Sequence, residues 1–285
     1  MTLEQEPADE AERETEAIEI RVFLEALYAK HGYDLRGYAD ASLRRRIQAV
    51  LARLGLTRIS DLQHRALREP EVLGLVINYI AVRVSELFRD PSFYHAFRTQ
   101  VLPVLRTYPL LKIWHAGCAS GEEAYTSAIL LSDEGLYDRA QIYATDLSNE
   151  ALEEAKLGVY PASRRAAFEE AYRLAGGTSD LSRYCTTAYE GIAMVEALRR
   201  NILFFQHNLV SDHAFGEMNV IFCRNVFIYF GRELRTRVLA MLAQSLCPGG
   251  FLCLGQSEWL TAADRADTFE QVSRDNPIYR YTAMR

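Results

Sequence analysis

The chain of 285 residues is long enough for one large domain or two modest ones, and its 49% hydrophobic and 25% charged residues are typical of a globular protein. It contains no apolar run of about 18 residues and no basic, apolar secretory signal at its N-terminus, so the sequence predicts a cytoplasmic protein without membrane insertion. Its five cysteines form no CxxC pair and its six histidines show no metal-ligand spacing, which argues against a disulfide framework and a metal site.

The net charge of −6 is unevenly distributed along the chain. Residues 1–17 are acidic and lack aromatic side chains, so we expect them to form a disordered tail. Residues 30–68 carry nine basic and three acidic side chains, which gives this segment a charge of +6. A basic face on an acidic protein predicts a negatively charged partner for that face, although a solvated surface is the alternative.

The first part of the chain has helical spacing of apolar residues. This spacing predicts a helical domain over residues 18–90, with one apolar stripe from Leu43 to Leu54 that Gly55 closes. After Pro91 a further helix is predicted as far as Leu105.

From residue 111 the pattern changes to short apolar runs that alternate with amphipathic stretches. Strands are predicted at 111–114, 141–146, 220–223 and 251–254, helices at 121–132, 149–157 and 232–246, and two terminal strands at 269–272 and 278–281. This alternation predicts an α/β fold with a parallel sheet. Residues 160–203 interrupt it and read as a small inserted subdomain with a hairpin that turns near Glu190-Gly191.

The stretch GCASGEEAY, residues 117–125, follows the first predicted strand of the sheet. Ligands of open α/β sheets bind at this edge, but two glutamates at a helix N-terminus repel a pyrophosphate. The sequence therefore favours a ligand with a cationic or amino group over a nicotinamide cofactor. The alternative is structural, because Ser120 and Glu123 have the spacing of a capping box.

Polar residues also follow the next two predicted strands. Asp146 ends the second strand 25 residues beyond Gly121, where an acidic residue binds ribose hydroxyls in nucleotide-binding sheets. Its alternative role is in the turn before the next helix. Arg224 and Asn225 end a later strand, and Tyr229 beyond them is either a site residue or a packed tyrosine with its hydroxyl at the surface.

Six motifs together resemble CheR-type chemotaxis receptor methyltransferases. They are VSELFRD, AGCASGEEAY, IYATDLSNEALEEAKLGVYP, QHNLV, IFCRNVFIYF and PGGFLCLGQSE, in the order found in that family. The chain resembles the family from about residue 20 to the C-terminus. The resemblance implies an all-α domain over 18–90 and a Rossmann-like SAM-dependent methyltransferase domain over 91–285, with residues 160–203 as an inserted β-subdomain. It implies an enzyme that transfers methyl groups from S-adenosylmethionine to receptor glutamates and releases S-adenosylhomocysteine.

The resemblance also implies roles for individual residues. Glu123 is expected at the methionine amino group, Asp146 at the ribose, and Arg89 and Tyr229 at the transferred methyl group. The remaining cofactor positions that it implies are Ser85, Gly117, Asn208, Leu209, Asn225 and Val226, with Arg89 also beside the cofactor. The chain departs from the family at Arg83, Ser85 and Leu87, where asparagine, threonine and phenylalanine are common.

The expected partner is the acidic cytoplasmic helices of chemoreceptors, with no role for nucleic acid. Arg45, Arg46 and Arg53 are expected to dock on them, since Arg46 and Arg53 fall on nearly one helix face. The turn TTAYEG is shorter than the glycine-rich loop with which some relatives bind a receptor C-terminal pentapeptide, so we expect no such tether. The protein is also expected to be a monomer. The rival hypotheses are a nucleotide-dependent dehydrogenase, a non-catalytic module of the same fold, and a methyltransferase of another chemosensory pathway.

Overall fold

The computed structural model of the protein describes residues 6–80, 85–188, 191–265 and 268–282. The chain forms two compact units, one of residues 1–82 with Tyr229–Leu234 and one of residues 83–228 with Arg235–Arg285. The first unit therefore ends at residue 82, whereas the helical domain was predicted to end at residue 90. Leu87 and Phe88 explain the difference, because both side chains are buried in the hydrophobic core of the second unit.

The first unit is helical. Its helices are α1 (Glu6–His31), α2 (Asp40–Leu54), α3 (Ile59–Ala66) and α4 (Pro70–Ile80). Helix α1 begins at Glu6, so the prediction of a disordered tail is wrong for residues 6–17, and residues 1–5 lie outside the described part. The segment is rich in alanine and glutamate, which have high helix propensity, and Glu16 forms an ion pair with Arg44 at 3.1 Å.

Helix α2 follows the predicted pattern closely. Leu43, Ile47, Val50 and Leu51 are buried, and Gly55 ends the helix in the left-handed region with φ +66°. The segment Tyr229–Leu234 packs within this unit, which the sequence pattern did not predict. Its backbone is held by hydrogen bonds from Ala39 N to Tyr229 O and from Gly231 N to Gly37 O, both 2.9 Å.

The second unit begins with a helical segment that a π-turn interrupts. Helix α5 (Pro91–Ala96) continues into the π-turn Phe97–Val101 and then into α6 (Leu102–Leu105). A single helix was predicted here. Pro103 accounts for the interruption, since its ring has no N–H and crowds the carbonyl group one turn earlier.

The strands of the second unit form two sheets. They are β1 (Leu111–Ala116), β2 (Ala140–Asp146), β3 (Val159–Pro161), β4 (Cys185–Ala188), β5 (Gly191–Met194), β6 (Ile202–Gln206), β7 (Met218–Cys223), β8 (Leu246–Leu254), β9 (Phe269–Gln271) and β10 (Ile278–Tyr281). The further helices are α7 (Glu122–Asp133), α8 (Asn149–Leu157), α9 (Arg165–Leu174), α10 (Glu196–Arg199), α11 (Arg232–Gln244) and α12 (Ala262–Arg265).

Within the described residues, the main sheet has seven strands in the order β6-β2-β1-β7-β8-β10-β9. The pairs from β6 to β8 are parallel, and β10 pairs antiparallel with both β8 and β9. Strands β1 and β7 are buried along nearly their whole length, as expected of parallel strands covered on both faces. The predicted Rossmann-like α/β fold is confirmed.

Strand β6 was not predicted, because the expected inserted subdomain ended at residue 203, inside this strand. Its sequence ILFFQ pairs with β2 at the edge of the sheet, where the side chain of Leu203 stays 43% exposed. An edge strand lacks the buried flank that makes an apolar run easy to assign.

The small sheet, of order β3-β5-β4, forms the inserted subdomain together with helix α9. Ala188 pairs with Gly191, so residues 189 and 190 connect the two hairpin strands. The turn was predicted near Glu190-Gly191, and of these two residues Glu190 lies outside the described residues. Within the described part of the chain, no helix combines the length and the hydropathy that a membrane span requires.

Candidate functional site at the carboxyl edge of the sheet

The topology brings the predicted cofactor residues to one edge of the main sheet. Strands β2, β1 and β7 are adjacent and parallel. Strand β2 lies on one side of β1 and β7 lies on the other, so the strand order changes direction at β1. Gly117, Asp146, Asn208 and Asn225 each follow or end a strand of this parallel set. Such a switch in strand order creates a crevice in which doubly wound folds bind ligands.

Gly117 makes the turn out of β1 and could not be replaced without strain. Its φ is +80°, and an added Cβ would lie 2.7 Å from Cγ2 of Val226. The backbone N–H groups of Gly117 and Cys118 both donate to Thr145 O, at 2.8 and 2.9 Å. The glycine therefore lets the loop after β1 pass close to the loop after β7, as expected where backbone lines a ligand site.

Asp146 connects this loop to the end of β2. Its Oδ2 accepts from Ala119 N at 2.8 Å, and its Oδ1 accepts from Ser148 N at 2.9 Å. Ser148 is the N-cap of α8, with its Oγ accepting from Ala151 N. The turn role considered for Asp146 is thus confirmed. A carboxylate has lone pairs for further donors, so this role leaves room for a ribose hydroxyl.

The capping-box alternative for Ser120 and Glu123 is wrong. Helix α7 starts after Gly121, which is in the left-handed region, and has no side-chain cap. Ser120 Oγ donates to Glu122 Oε2 at 2.7 Å instead. The hydroxyl of Ser120 thus bonds the side chain of the first helical residue, and the position before the helix is taken by Gly121.

The two glutamates at the start of α7 have different surroundings. Glu123 accepts through Oε1 from Arg224 Nη1 at 2.7 Å and from the hydroxyl of Tyr94 at 3.0 Å, while its Oε2 lies 3.3 Å from Nδ1 of His115. Burial alone would raise the pKa of Glu123, but the charge of Arg224 and the contact with His115 lower it to about 2. Glu123 is therefore a fixed anion at the crevice.

Glu122 is the more deeply buried of the pair, with 1% of its surface exposed. Its Oε1 lies 3.3 Å from Nη1 of Arg164, which also donates to the carbonyl oxygen of Ser85. Burial raises the pKa of Glu122, opposed by the hydrogen bond from Ser120. Ser85, a predicted cofactor residue, thus contacts the start of α7 through Arg164.

Asn208 follows β6 and carries an orphaned donor. Its Oδ1 accepts from Val210 N at 3.0 Å, and its backbone N–H donates to Asp212 at 2.8 Å. Its buried Nδ2 has no hydrogen-bond partner among the described residues. A buried amide of this kind calls for an acceptor, which matches the expected adenine contact. Leu209 beside it is half-buried.

The loop after β7 is held by a residue that the sequence analysis did not assign. Glu258 is 1% exposed and accepts from the backbone N–H groups of Asn225 and Gly255, both at 2.7 Å, and of Ile228 at 3.1 Å. Burial raises the pKa of Glu258, and the three backbone hydrogen bonds lower it by a smaller amount. It fixes Asn225, whose φ is +61°, and thereby the position of Val226. Its place in the motif LCLGQSE was the available signal.

Arg89 lies in a loop with an unusual backbone. Phe88 and Asp90 on either side of it have φ values of +55° and +58°, a region that residues other than glycine rarely adopt. Arg224, which had no role in the sequence analysis, donates from Nη2 to Arg89 O at 3.2 Å and to Asp90 Oδ2 at 2.8 Å. The half-buried Arg89 is therefore presented by a strained, anchored loop.

The three arginines that were expected to dock on a partner differ in their burial. Arg45 and Arg53 are exposed on α2. Arg46 is 5% exposed, donates to Ser42 Oγ at 3.1 Å and to Ile80 O, and lies over the ring of Tyr229. The prediction that Arg46 docks on a partner is therefore wrong, because its guanidinium belongs to the interior of this unit.

Comparisons with known proteins agree with the motif resemblance. Residues 18–81 match the model of the CheR methyltransferase all-alpha domain, and residues 83–277 match the CheR methyltransferase SAM binding domain. A Pseudomonas putida protein named Cher3 is 43% identical over 270 residues, covering 95% of this chain and 98% of the relative. A chemotaxis protein methyltransferase of Vibrio anguillarum is 31% identical over 92% of this chain and 96% of its own length. A solved TehB-like SAM-dependent methyltransferase from Corynebacterium glutamicum aligns at 12% identity and a TM-score of 0.38, over 67% of this chain and 88% of that one, which is too remote to add an argument.

Proposed function

Because the chain belongs to the CheR methyltransferase family, we propose that it transfers methyl groups from S-adenosylmethionine to glutamate side chains of chemoreceptors. It is a SAM-dependent methyltransferase whose relatives act in chemotaxis, so the dehydrogenase hypothesis has no support. The observation that carries the glutamate assignment is the loop that holds Arg89 at the edge where the cofactor residues converge. A guanidinium binds a carboxylate through two hydrogen bonds, which suits an acidic side chain as the methyl acceptor.

The residues at the sheet edge fit the cofactor. The orphaned Nδ2 of Asn208 offers a donor to the adenine, and Asp146 offers acceptors to the ribose hydroxyls. Gly117 leaves the space that a Cβ would close against Val226. Glu123 supplies a permanent negative charge for the methionine amino group. When bound, the cofactor supplies a methyl group that its positively charged sulfur already activates.

The protein then has mainly to position the acceptor. A glutamate carboxylate is ionised at pH 7, so no strong base is needed to prepare the attacking oxygen. We assign Arg89 to orient that carboxylate, since too tight a hold on the attacking oxygen would oppose the reaction. Most of the rate enhancement would come from holding the reacting atoms in line. Tyr229 is assigned, from the resemblance, to a further hydrogen bond or contact near the methyl group.

The helical unit would dock on the acidic helices of the receptor. The exposed Arg45 and Arg53 of α2 support this assignment by their charge. The buried Arg46 is not part of the docking surface. We also propose that the enzyme acts in the cytoplasm as a monomer. We propose that it uses no pentapeptide tether, because only two residues connect β4 and β5. Measurable binding of a receptor C-terminal pentapeptide would contradict that last point.

The decisive experiment is incubation of the protein with methyl-labelled S-adenosylmethionine and a panel of purified chemoreceptor cytoplasmic fragments. We expect label in at least one receptor, released as methanol by mild base, because methyl esters are base-labile. Label that survives base would indicate another acceptor group. Binding of S-adenosylhomocysteine without transfer to any receptor of the panel would favour the non-catalytic module.

A further inference from the structure

Arg224 joins the two halves of the crevice through a single guanidinium group. It follows β7 directly, and its side chain is 1% exposed. One limb, Nη1, donates to Glu123 Oε1 at 2.7 Å and to the hydroxyl of Tyr94 at 2.9 Å. The other limb, Nη2, donates to Asp90 Oδ2 at 2.8 Å and to the carbonyl oxygen of Arg89 at 3.2 Å. The two limbs therefore hold the start of α7 and the Arg89 loop at a fixed separation.

The Arg89 loop needs such an anchor. Phe88 and Asp90 both have left-handed backbone conformations, which persist only where the surroundings enforce them. The amide of Phe88 donates to Thr126 Oγ1 at 3.0 Å, and the amide of Phe93 donates to Asp90 O at 2.9 Å. Arg224 adds the contacts to the carbonyl oxygen of Arg89 and to the carboxylate of Asp90. Without it, the loop would lose the partners that compensate for its strain.

Stability alone is a weak explanation for this buried cluster. A buried ion pair is often no more stabilising than well-packed apolar side chains, because both charges must be removed from water. Arg224 also lies over an aromatic ring, with its guanidinium carbon 4.1 Å from the ring centroid of Phe93. A planar, two-limbed, stacked group restricts orientation, which a single ammonium group could not do in the same way.

We propose that Arg224 is a positioning residue for methyl transfer, fixing Arg89 relative to the carboxylate of Glu123. The inference rests on the proposed function, in which Glu123 serves the cofactor and Arg89 serves the acceptor. In this role Arg224 contacts neither the cofactor nor the acceptor glutamate. It acts by setting the backbone of residues 89 and 90 and the carboxylate of residue 123.

The test compares two substitutions that each weaken a partly buried arginine–carboxylate pair. Asp90→Asn weakens the limb of Arg224 that holds the Arg89 loop. The matched control is Asp133→Asn, since Asp133 pairs with the half-buried Arg98 at 2.9 Å and also accepts from Tyr172 and Tyr184, in contacts that involve none of the proposed site residues. The conservative variant Arg224→Lys keeps the charge but not the two limbs.

For Asp90→Asn we expect a fall in kcat of about tenfold to a hundredfold, the size of effect that misplaced catalytic groups produce. The KM for receptor and the Kd for S-adenosylhomocysteine should stay within about threefold of wild type. In the ligand-free protein, the amides of Phe88 and Phe93 should exchange with solvent at least about ten times faster. Arg224→Lys should share the loss of kcat and the faster exchange, whereas Asp133→Asn should lower Tm without either change.

An unchanged kcat in Asp90→Asn, or an equal fall in Asp133→Asn, would overturn the positioning role. The exchange measurement keeps this outcome separate from the proposed function, because it needs neither receptor nor turnover. If wild-type protein methylates no receptor while Asp90→Asn still accelerates exchange at Phe88, the proposed substrate fails and the anchoring by Arg224 stands. If exchange at Phe88 is unaffected, the anchoring itself is wrong.

Discussion

The guanidinium carbon of Arg46 lies 4.3 Å from the centre of the Tyr229 ring. The same guanidinium donates to Ser42 within α2 and to the carbonyl oxygen of Ile80 at the end of α4. Arg46 therefore supports the segment Tyr229–Leu234 from inside the helical unit. A residue that the charge pattern assigned to a partner protein instead packs against a residue assigned to the reaction.

Replacement of Arg46 by alanine should loosen that segment. The change removes the cation over the Tyr229 ring and the donor to Ser42 and to the carbonyl oxygen of Ile80, so we expect a loss of about 2–4 kcal/mol in the free energy of unfolding. Hydrogen exchange should accelerate at the amides of Ala39 and Gly231, which hold the segment to the rest of the unit. Arg45→Ala, one position away and exposed, should change neither quantity. Unchanged exchange at both amides would show that Arg46 does not support the segment.

Charge reversal at Arg45 and Arg53 should weaken receptor recognition. Exposed charges contribute about 0.5–1 kcal/mol each, so the double variant to glutamate should raise the receptor KM about fivefold to thirtyfold. The kcat and the Kd for S-adenosylhomocysteine should be unchanged. The effect should shrink as salt is raised toward 0.5 M (roughly a 4 Å screening length), since exposed charges are screened.

The control for this variant is charge reversal at Arg173 and Arg183, two exposed arginines of the second unit. It changes the net charge by the same amount at a different surface. Equal increases in KM for both double variants would assign the effect to net charge and contradict docking through α2.

Alanine at position 117 should abolish cofactor binding. The new Cβ would lie 2.7 Å from Val226, and the residue would have to keep a φ of +80°. We expect the Kd for S-adenosylhomocysteine, measured by calorimetry, to rise at least about a hundredfold, because the displaced loop can no longer line the crevice. Gly135→Ala is the matched control, with φ +67° and no atom within 4 Å of an added Cβ. It should cost about 1–2 kcal/mol of stability with no change in Kd. Wild-type affinity in Gly117→Ala would rule out a close backbone approach at this turn.

The sequence was informative wherever a function depends on residues next to a strand end. The alternation of apolar runs and amphipathic stretches predicts the parallel sheet, and Gly117 and Asp146 follow from it because each lies at a strand terminus. The loop of Arg89, in contrast, depends on Arg224, which is 135 positions away in the chain. No local pattern encodes that pairing, nor the three backbone groups that Glu258 binds.

The burial of Arg46 can be predicted from its position in α2. Arg46 lies three positions after Leu43 and four before Val50, which places it within the buried stripe of α2. Counting basic residues located the charged helix but not the side that its apolar residues bury. An arginine inside an apolar stripe indicates a buried hydrogen-bonded role unless the helix is otherwise unpacked.

Replacement of Arg89 by alanine should separate binding from transfer. We expect kcat/KM for receptor methylation to fall at least about a hundredfold, the effect of losing a bidentate hold on the acceptor carboxylate. The Kd for S-adenosylhomocysteine should stay within about threefold of wild type, since the other predicted cofactor residues are untouched. Arg89→Lys should retain part of the activity, because it keeps the charge without the fork. Full methylation by Arg89→Ala would remove the residue from the proposed mechanism.

The two glutamates at the start of α7 should give the protein opposite responses to pH. The pKa of Glu123 is lowered to about 2, so its contribution to stability is complete above its unfolded pKa and is lost as pH falls toward 2. Glu123→Gln abolishes that titration. The difference in the free energy of unfolding between wild type and this variant should therefore narrow by about 1 kcal/mol between pH 5 and pH 3.5.

Urea titrations at intervals of half a pH unit measure this difference, and Glu122→Gln provides the internal control. Burial raises the pKa of Glu122, so the folded state holds its proton more tightly than the unfolded chain does. Its contribution is then lost as pH rises through the folded pKa, and wild type should lose stability relative to Glu122→Gln in that direction. Curves of wild type and Glu123→Gln that stay parallel from pH 5 to pH 3.5 would contradict the ion pair with Arg224 as the cause of the low pKa. Opposite slopes for the two variants would assign the acid sensitivity to Glu123 and its contacts with Arg224 and His115, because Glu122 has neither partner.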